Sequence, residues 1–267
     1  MEKILNTPIA ETFGWLHVGG TKAQVPAASR NESVELVPGE TRTVILRDGE
    51  DALSFHAELG DDSCLHLIQI RDGKTSGTAV NDVSVRCGRN AQFHWYRVIL
   101  SGEKTFDNCS VTLEGDGSKF SADVGYRLSG EENYDINCEA IHLGKRTDSR
   151  ITSSGVLADR AGKLLRGTID FRSGCAGSTG EETEDVLLMD ETVRNRTVPV
   201  ILCAEEDVAG NHGATIGRPD EGVLYYMESR GIGREEAFEM LAGAKVDAVI
   251  GKLPDVRLRE ELREELG

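Results

Sequence analysis

Cationic side chains are in deficit in this sequence. Its 30 lysines and arginines stand against 46 aspartates and glutamates, a formal charge of −16 over 267 residues. That balance argues against nucleic-acid binding, which needs a cationic surface to displace counterions from phosphates. It argues equally against a polybasic hold on anionic lipid. Cysteine is sparse: six residues with no CxxC pair, which removes disulfide-scaffold, zinc-ribbon and thioredoxin-like readings. Long apolar runs are absent. The longest, Val198–Ala204, contains Pro199 and is far too short to span a bilayer. The N-terminal stretch MEKILNTPIAETFGW has no apolar core of signal-peptide length. The expectation is a cytoplasmic protein with reduced thiols. Most short chemical signatures are also lacking, with no HExxH, no GxSxG and no EF-hand loop. Gly144-Lys145-Arg146-Thr147 looks like the end of a phosphate loop, but the glycine required five positions earlier is Glu139. Gly231-Ile232-Gly233 follows a helical pattern rather than a strand, and so reads as a helix stop.

What is present divides into three textures. Residues 1–40 read as an irregular N-terminal segment, with Pro8, Pro26, Pro38 and one apolar cluster of Phe13, Trp15, Leu16 and Val18. Residues 41–210 hold short β-prone runs: Thr43–Leu46, Leu53–Leu59, Cys64–Ile70, Val83–Cys87, Gln92–Leu100, Ser110–Leu113, Lys119–Leu128, Tyr134–Leu143, Ile151–Leu157 and Leu164–Phe171. Several alternate apolar with polar residues, as one buried face of a sheet requires. Glycines from Gly49 to Gly155 punctuate them at gaps of 11 to 15 residues. Regular turns without intervening helices indicate an all-β body, and spacing alone leaves a sandwich, a barrel or a solenoid open. Residues 211–267 read as a small helical domain, with the boundary in the loose stretch Ala209–Gly213. Four helices are expected there: Glu221–Ser229 capped by Asp220, Arg234–Ala242, Lys245–Leu253 stopped by Pro254, and a last one capped by Asp255.

Candidate site residues are few. Acidic pairs occur at Asp61-Asp62, Glu131-Glu132, Glu181-Glu182 and Glu205-Glu206. Neighbours on a strand point to opposite faces, so these read first as solvated turn residues. Carboxylates gathered on one face would instead make a polysaccharide-active enzyme. Cys64, Cys87 and Cys109 are 23 and 22 residues apart, which in coils of that length would stack them on one inert buried face. Cys175 and Cys203 are then the better candidates for reactivity. His212, between Asn211 and Gly213 at the domain boundary, is the histidine best placed in a loop to ligate or catalyse.

The stretch Val208–Ile232 carries a resemblance. His212-Gly213-Ala214-Thr215, Gly217, Tyr226 and Arg230-Gly231-Ile232 resemble the C-terminal signature of the SufB/SufD family, scaffold components of the SUF iron–sulfur cluster assembly system. Cys138–Leu157, with His142, Ser149 and Gly155-Val156-Leu157, resembles the family's H…S…G-V-L coil. Gly167–Phe171 resembles its G-x-I-x-V strand, and Thr12–Val18 resembles a short-form N-terminus. The resemblance implies a right-handed parallel β-helix followed by a small C-terminal α-helical domain. It implies a non-enzymatic scaffold that forms a homodimer, or a heterodimer with a SufB-like subunit, through the C-terminal end of the β-helix. It also implies docking of a SufC-type ABC ATPase on the helical tail, through Gly231–Val249 with Phe238 or Leu241 in contact. His212 matches the interface histidine implicated in forming a transient iron–sulfur cluster. The SufD-type cysteine two positions before it is Gly210 here, and the SufB-type glutamate after it is Gly213. No cysteine stands at Thr183–Asp185, where the sulfur-accepting one belongs, so Cys203 and Cys175 are the nearest thiols. The pattern is closer to SufD than to SufB. A β-helix interaction protein without a cluster role is the further alternative.

Overall fold

The computed structural model of the protein describes residues 2–8, 18–49, 51–72 and 77–266. Phe13, Trp15, Leu16, His17 and most of the expected short-form N-terminal motif lie outside the described residues. The strands are β1 (Glu2–Leu5), β2 (Thr21–Gln24), β3 (Ser29–Leu36), β4 (Thr41–Arg47), β5 (Ala52–Leu59), β6 (Cys64–Asp72), β7 (Thr78–Cys87) and β8 (Gln92–Ser101). They continue with β9 (Lys104–Leu113), β10 (Lys119–Leu128), β11 (Asn133–His142), β12 (Asp148–Leu157), β13 (Gly162–Phe171), β14 (Ser178–Leu188), β15 (Arg194–Cys203) and β16 (Val208–Gly217). The helices are α1 (Glu221–Ser229), α2 (Arg234–Ile250) and α3 (Val256–Leu266).

From β3 onward, odd strands stack in one parallel sheet and even strands in another, seven in each. The chain is therefore a parallel β-solenoid of about six turns with three C-terminal helices. The expected runs fall on β4 to β13. β3, β14, β15 and β16 were not expected: β3, β14 and β16 are rich in acids or glycine, and Pro199 interrupts the apolar run of β15. What makes them strands is the neighbouring coil, whose edge supplies every ladder partner. Residues in register on successive coils are 23 apart at the first coil and 26 to 32 apart afterwards. Each coil holds two strands and two turns, so glycine gaps of 11 to 15 mark half-coils. This period corrects the expected cysteine stack. Cys87 lies over Leu113 and Cys109 beneath Cys138, while Cys64 belongs to the other sheet.

One column of turn residues ties the coils. Gly39, Asp62, Asn90, Gly117, Arg146 and Gly177 all have positive φ. The amide of each donates to a carbonyl of the next coil, as in Asp62 to Arg89 at 2.7 Å and Gly117 to Lys145 at 2.8 Å. Glycine, asparagine and aspartate tolerate this left-handed conformation best.

The interior is apolar where inward positions stack, as in Phe93 on Phe120 with ring centroids 5.6 Å apart. It is also partly ionic. Arg97 is fully buried and donates to Asp48 at 2.6 Å and Asp107 at 2.7 Å, and Tyr134 donates to Asp107 at 2.8 Å. Two motif residues have structural reasons. The His142 ring hydrogen-bonds the Ser149 hydroxyl at 2.8 Å and the Thr147 hydroxyl at 2.7 Å. Gly155 makes room for Tyr126: a Cβ there would stand 2.2 Å from its ring.

The irregular N-terminal segment contains an antiparallel pair, β1 and β2, laid on the outer face of the odd sheet. Arg166 holds it by donating to the carbonyl of Val18 at 2.6 Å. At the other end of the chain, the last strand runs through Gly217, past the expected end of the β body at residue 210. Asp220 caps α1 and Asp255 caps α3 as expected. The two helices expected between Arg234 and Leu253 are one. Its buried positions Ala242, Val246, Val249 and Ile250 keep helical spacing across Gly243 and seat α2 on the even sheet. Gly125 permits this approach, since a Cβ there would meet Val249 at 2.9 Å. Lys245–Asp185 and Lys252–Asp123, each 2.5 Å, pin the same contact. The helices therefore cover a flank of the even sheet. No helix among the described residues is long and apolar enough to cross a membrane.

Gly155→Ala is expected to cost about 1–3 kcal/mol by overpacking against Tyr126. The measurement is the urea midpoint, with the slope unchanged. Combining it with Tyr126→Leu should recover part of the loss, and an unshifted midpoint in the single variant would show that the ring moves aside freely.

Candidate functional site at the open end of the solenoid

Among the described residues the last coil, β15 and β16, has strand neighbours on one side only. From Ala209 to Gly217 every residue of β16 is exposed. His212 sits in the middle of this strand, in register with Glu182 of β14, so it is not in a loop. The Gly- and Ala-rich stretch forms a strand because β14 offers it a full ladder. Residues in register share a face. Gly210, His212 and Ala214 therefore continue the inward columns of Gly180, Glu182 and Glu184. A Cβ on Gly210 would touch Phe171 and Ile201, which confirms that this face looks inward.

Beneath His212 the interior is charged. Lys163 pairs with Glu184 and donates to the Thr197 hydroxyl at 3.1 Å, and that hydroxyl donates to Glu184 at 2.5 Å. Gly167, the glycine of the G-x-I-x-V strand, leaves space for the Glu182 carboxylate, which a Cβ would meet at 2.3 Å. Burial, and then the charge of Glu184, raise the Glu182 carboxyl to about 7. The Glu181-Glu182 pair thus splits between faces, with Glu181 outside against Arg150 at 3.8 Å. Asp61 and Glu131 are likewise exposed and paired, with Arg89 and Arg160.

The three expected site residues do not converge. Cys175 is buried with Ile169, Phe171 and Val208, and burial raises its thiol, so it is not the reactive cysteine expected. Val208 and His212 are four residues apart on one strand, about 13 Å. Cys203 ends β15 on the other sheet, where it is exposed and donates to the Glu205 carbonyl at 3.0 Å.

A second group escaped the sequence reading. Cys64 and His66 alternate on the outer face of β6, and His94 lies in register with His66 on β8. Cys64 is half-buried outside the core, not inert within it. Burial lowers His94 to about 4 and pulls His66 below its ordinary range. The C-x-H alternation was visible in sequence, but pairing it with His94 needed the 28-residue coil.

These features can be set beside known proteins. A family model described as "SUF system FeS cluster assembly, SufBD core domain" matches residues 23–245. The chain belongs to this SufBD family. It is 27% identical over 237 residues to the iron–sulfur cluster assembly protein SufD of Bacillus subtilis, covering 88% of this chain and 54% of that one. It is 30% identical over 192 residues to the chloroplastic SufBD family protein ABCI8 of Arabidopsis thaliana, covering 69% and 34%. With SufB of Bacillus subtilis it shares 26% over 169 residues, covering 63% and 36%. The chain spans about half or less of the length of these curated relatives. The family match covers nearly the whole solenoid, α1 and the first two-thirds of α2, so the open end falls within the family's core domain.

Glu182 generates a pH prediction. Its folded value of about 7 exceeds its ordinary 4.5, so between these values the folded chain keeps a proton that the unfolded chain has lost. The Glu182 contribution to stability should therefore fall as pH rises through that window, by about 3 kcal/mol in all, against the opposite contribution of the buried His94. Glu182→Gln removes the effect. Thermal melts across the window should show the variant gaining on the parent as pH rises, and parallel curves would contradict the assignment.

Proposed function

We propose that this chain is a SufD-like scaffold subunit of cytoplasmic SUF cluster assembly, a binding and assembly protein rather than an enzyme. The observation that carries the reading is the uncapped end of the solenoid. Two open parallel edges, β15 and β16, stand exposed with His212 among them. Open edges invite pairing with another chain, and stable proteins normally cover them. The occupant of that end is a second SufBD-type subunit, either a copy of this chain or a SufB-like partner. His212 offers an imidazole to a transient iron–sulfur cluster at this junction, with the Glu182 carboxyl beneath it. With Gly210 and Gly213 flanking the histidine, the thiolates come from the partner. The SufC-type ABC ATPase docks on the helical tail. Leu241 packs toward Val156 and Leu187, and Leu224 is buried, so neither is free for it. Phe238, half-buried under the Arg234 guanidinium at 5.3 Å, and the exposed Met240 and Tyr226 remain available.

Co-expression with a SufB-like subunit and a SufC-type ATPase, followed by size exclusion and an anaerobic visible spectrum, tests this reading. His212→Ala should fold and join the complex but lower its cluster content, and undiminished content would remove His212 from the site. Phe238→Asp should lose the ATPase from the complex with little change in melting temperature. Full-strength binding by that stable variant would move the docking surface elsewhere.

A further inference from the structure

We propose that Cys64, His66 and His94 form a binding site for a single divalent transition-metal ion of the zinc or ferrous class, on the outer face of the even sheet and apart from the open end. The donor atoms of the three residues lie within 4.8 Å of one another. Cys64 Sγ stands 3.5 Å from His66 Nε2. Bonds of about 2.3 Å to sulfur and about 2.05 Å to nitrogen, at a tetrahedral angle, separate these atoms by about 3.6 Å. The pair is thus set at the edge length of a zinc-like site. The His94 Nδ1 is held by the Ser121 hydroxyl at 2.7 Å, which leaves its Nε2 for an ion. A hydrogen bond on one imidazole nitrogen that orients the other is the usual support of a metal-bound histidine.

Two observations resist a purely structural explanation. His66 Nδ1 is buried without a hydrogen-bond partner, so the ring's one hydrogen bond is the long contact of its Nε2 with the Cys64 sulfur. The two imidazoles stack with centroids 4.7 Å apart and planes at 12°, on adjacent coils in register. One thiolate and two imidazoles suit zinc, ferrous or cuprous ions and disfavour magnesium and calcium. Three protein ligands leave one position open. His94 borders a shallow groove of about 410 Å³ shared with Tyr96, Asp123 and Lys252, through which water can reach that position. Binding displaces the Cys64 thiol proton to solvent and involves no change of oxidation state. From β8 to the open edge at β16 is four strand spacings, about 19 Å, so the site does not depend on the cluster reading of His212.

The test uses the full chain, stripped with a chelator and titrated with Co²⁺ alone. The expected result is one cobalt per chain, with a thiolate-to-cobalt charge-transfer band and intense visible bands of tetrahedral type, both erased by Zn²⁺. Cys64→Ser should abolish the charge-transfer band. Ser121→Ala should weaken binding about tenfold through the loss of His94 orientation. Cys203→Ser and His212→Ala should leave the titration unchanged. In the parent chain, Zn²⁺ should also protect Cys64 from alkylation while Cys203 continues to react, a readout that needs no variant to fold. No bands, bands that survive Cys64→Ser, bands lost in Cys203→Ser, or equal labelling of Cys64 with and without Zn²⁺ would overturn the assignment.

Discussion

The in-register parallel ladder between coils is the constraint on which this molecule rests. A strand of one coil finds both rows of hydrogen-bond partners only in the coils before and after it. Each coil is therefore stabilised by its neighbours and not by its own sequence. That is why β14, with four acids in eleven residues, and β16, with three glycines in ten, form strands as regular as the fully buried β13. The same constraint leaves the final coil without a following partner, and no helix among the described residues covers it.

Stacking in register also gathers chemistry that is scattered in the chain. Every residue is set beside those one coil away on the same face. The outer column of His66 and His94, the inner column of Glu182 and His212, and the pair Cys109–Cys138 are all products of one repeat. Glycines mark where such columns would otherwise collide. Gly155 yields to the Tyr126 ring and Gly167 to the Glu182 carboxylate. The resemblance through the G-V-L coil and the G-x-I-x-V strand thus has a packing explanation, as does the His142–Ser149 pair.

The helical tail divides labour by face. The inner side of α2 and one side of α3 bury Val246, Val249, Ile250, Leu258 and Leu262 against Ile68, Ile70, Tyr96 and Val98. Lying along the flank, the tail leaves both the open end and its own outer surface accessible. A cap over β16 would have hidden His212 and closed the free edge of that strand.

The all-β body, its ten central strands, the Asp220 and Asp255 caps and the three-part order of the chain were legible in sequence, because alternation, glycine punctuation and capping are local. The family could be read from the residues around His212. The sandwich, barrel and solenoid alternatives were not separable by spacing, since each needs the same short alternating strands. Coil length was misread from two cysteine gaps, and with it the positions of Cys64 and Cys87. Strands β14 and β16 were missed because polar and glycine-rich residues become strand only against an existing edge, and β15 because Pro199 breaks its apolar run. The fusion of α2 across Gly243, its seat on the flank, the split of Glu181 from Glu182 and the meeting of Cys64 with His94 were decided by tertiary structure alone. Each depends on which residues lie one coil apart, and turn lengths that vary from coil to coil set that distance.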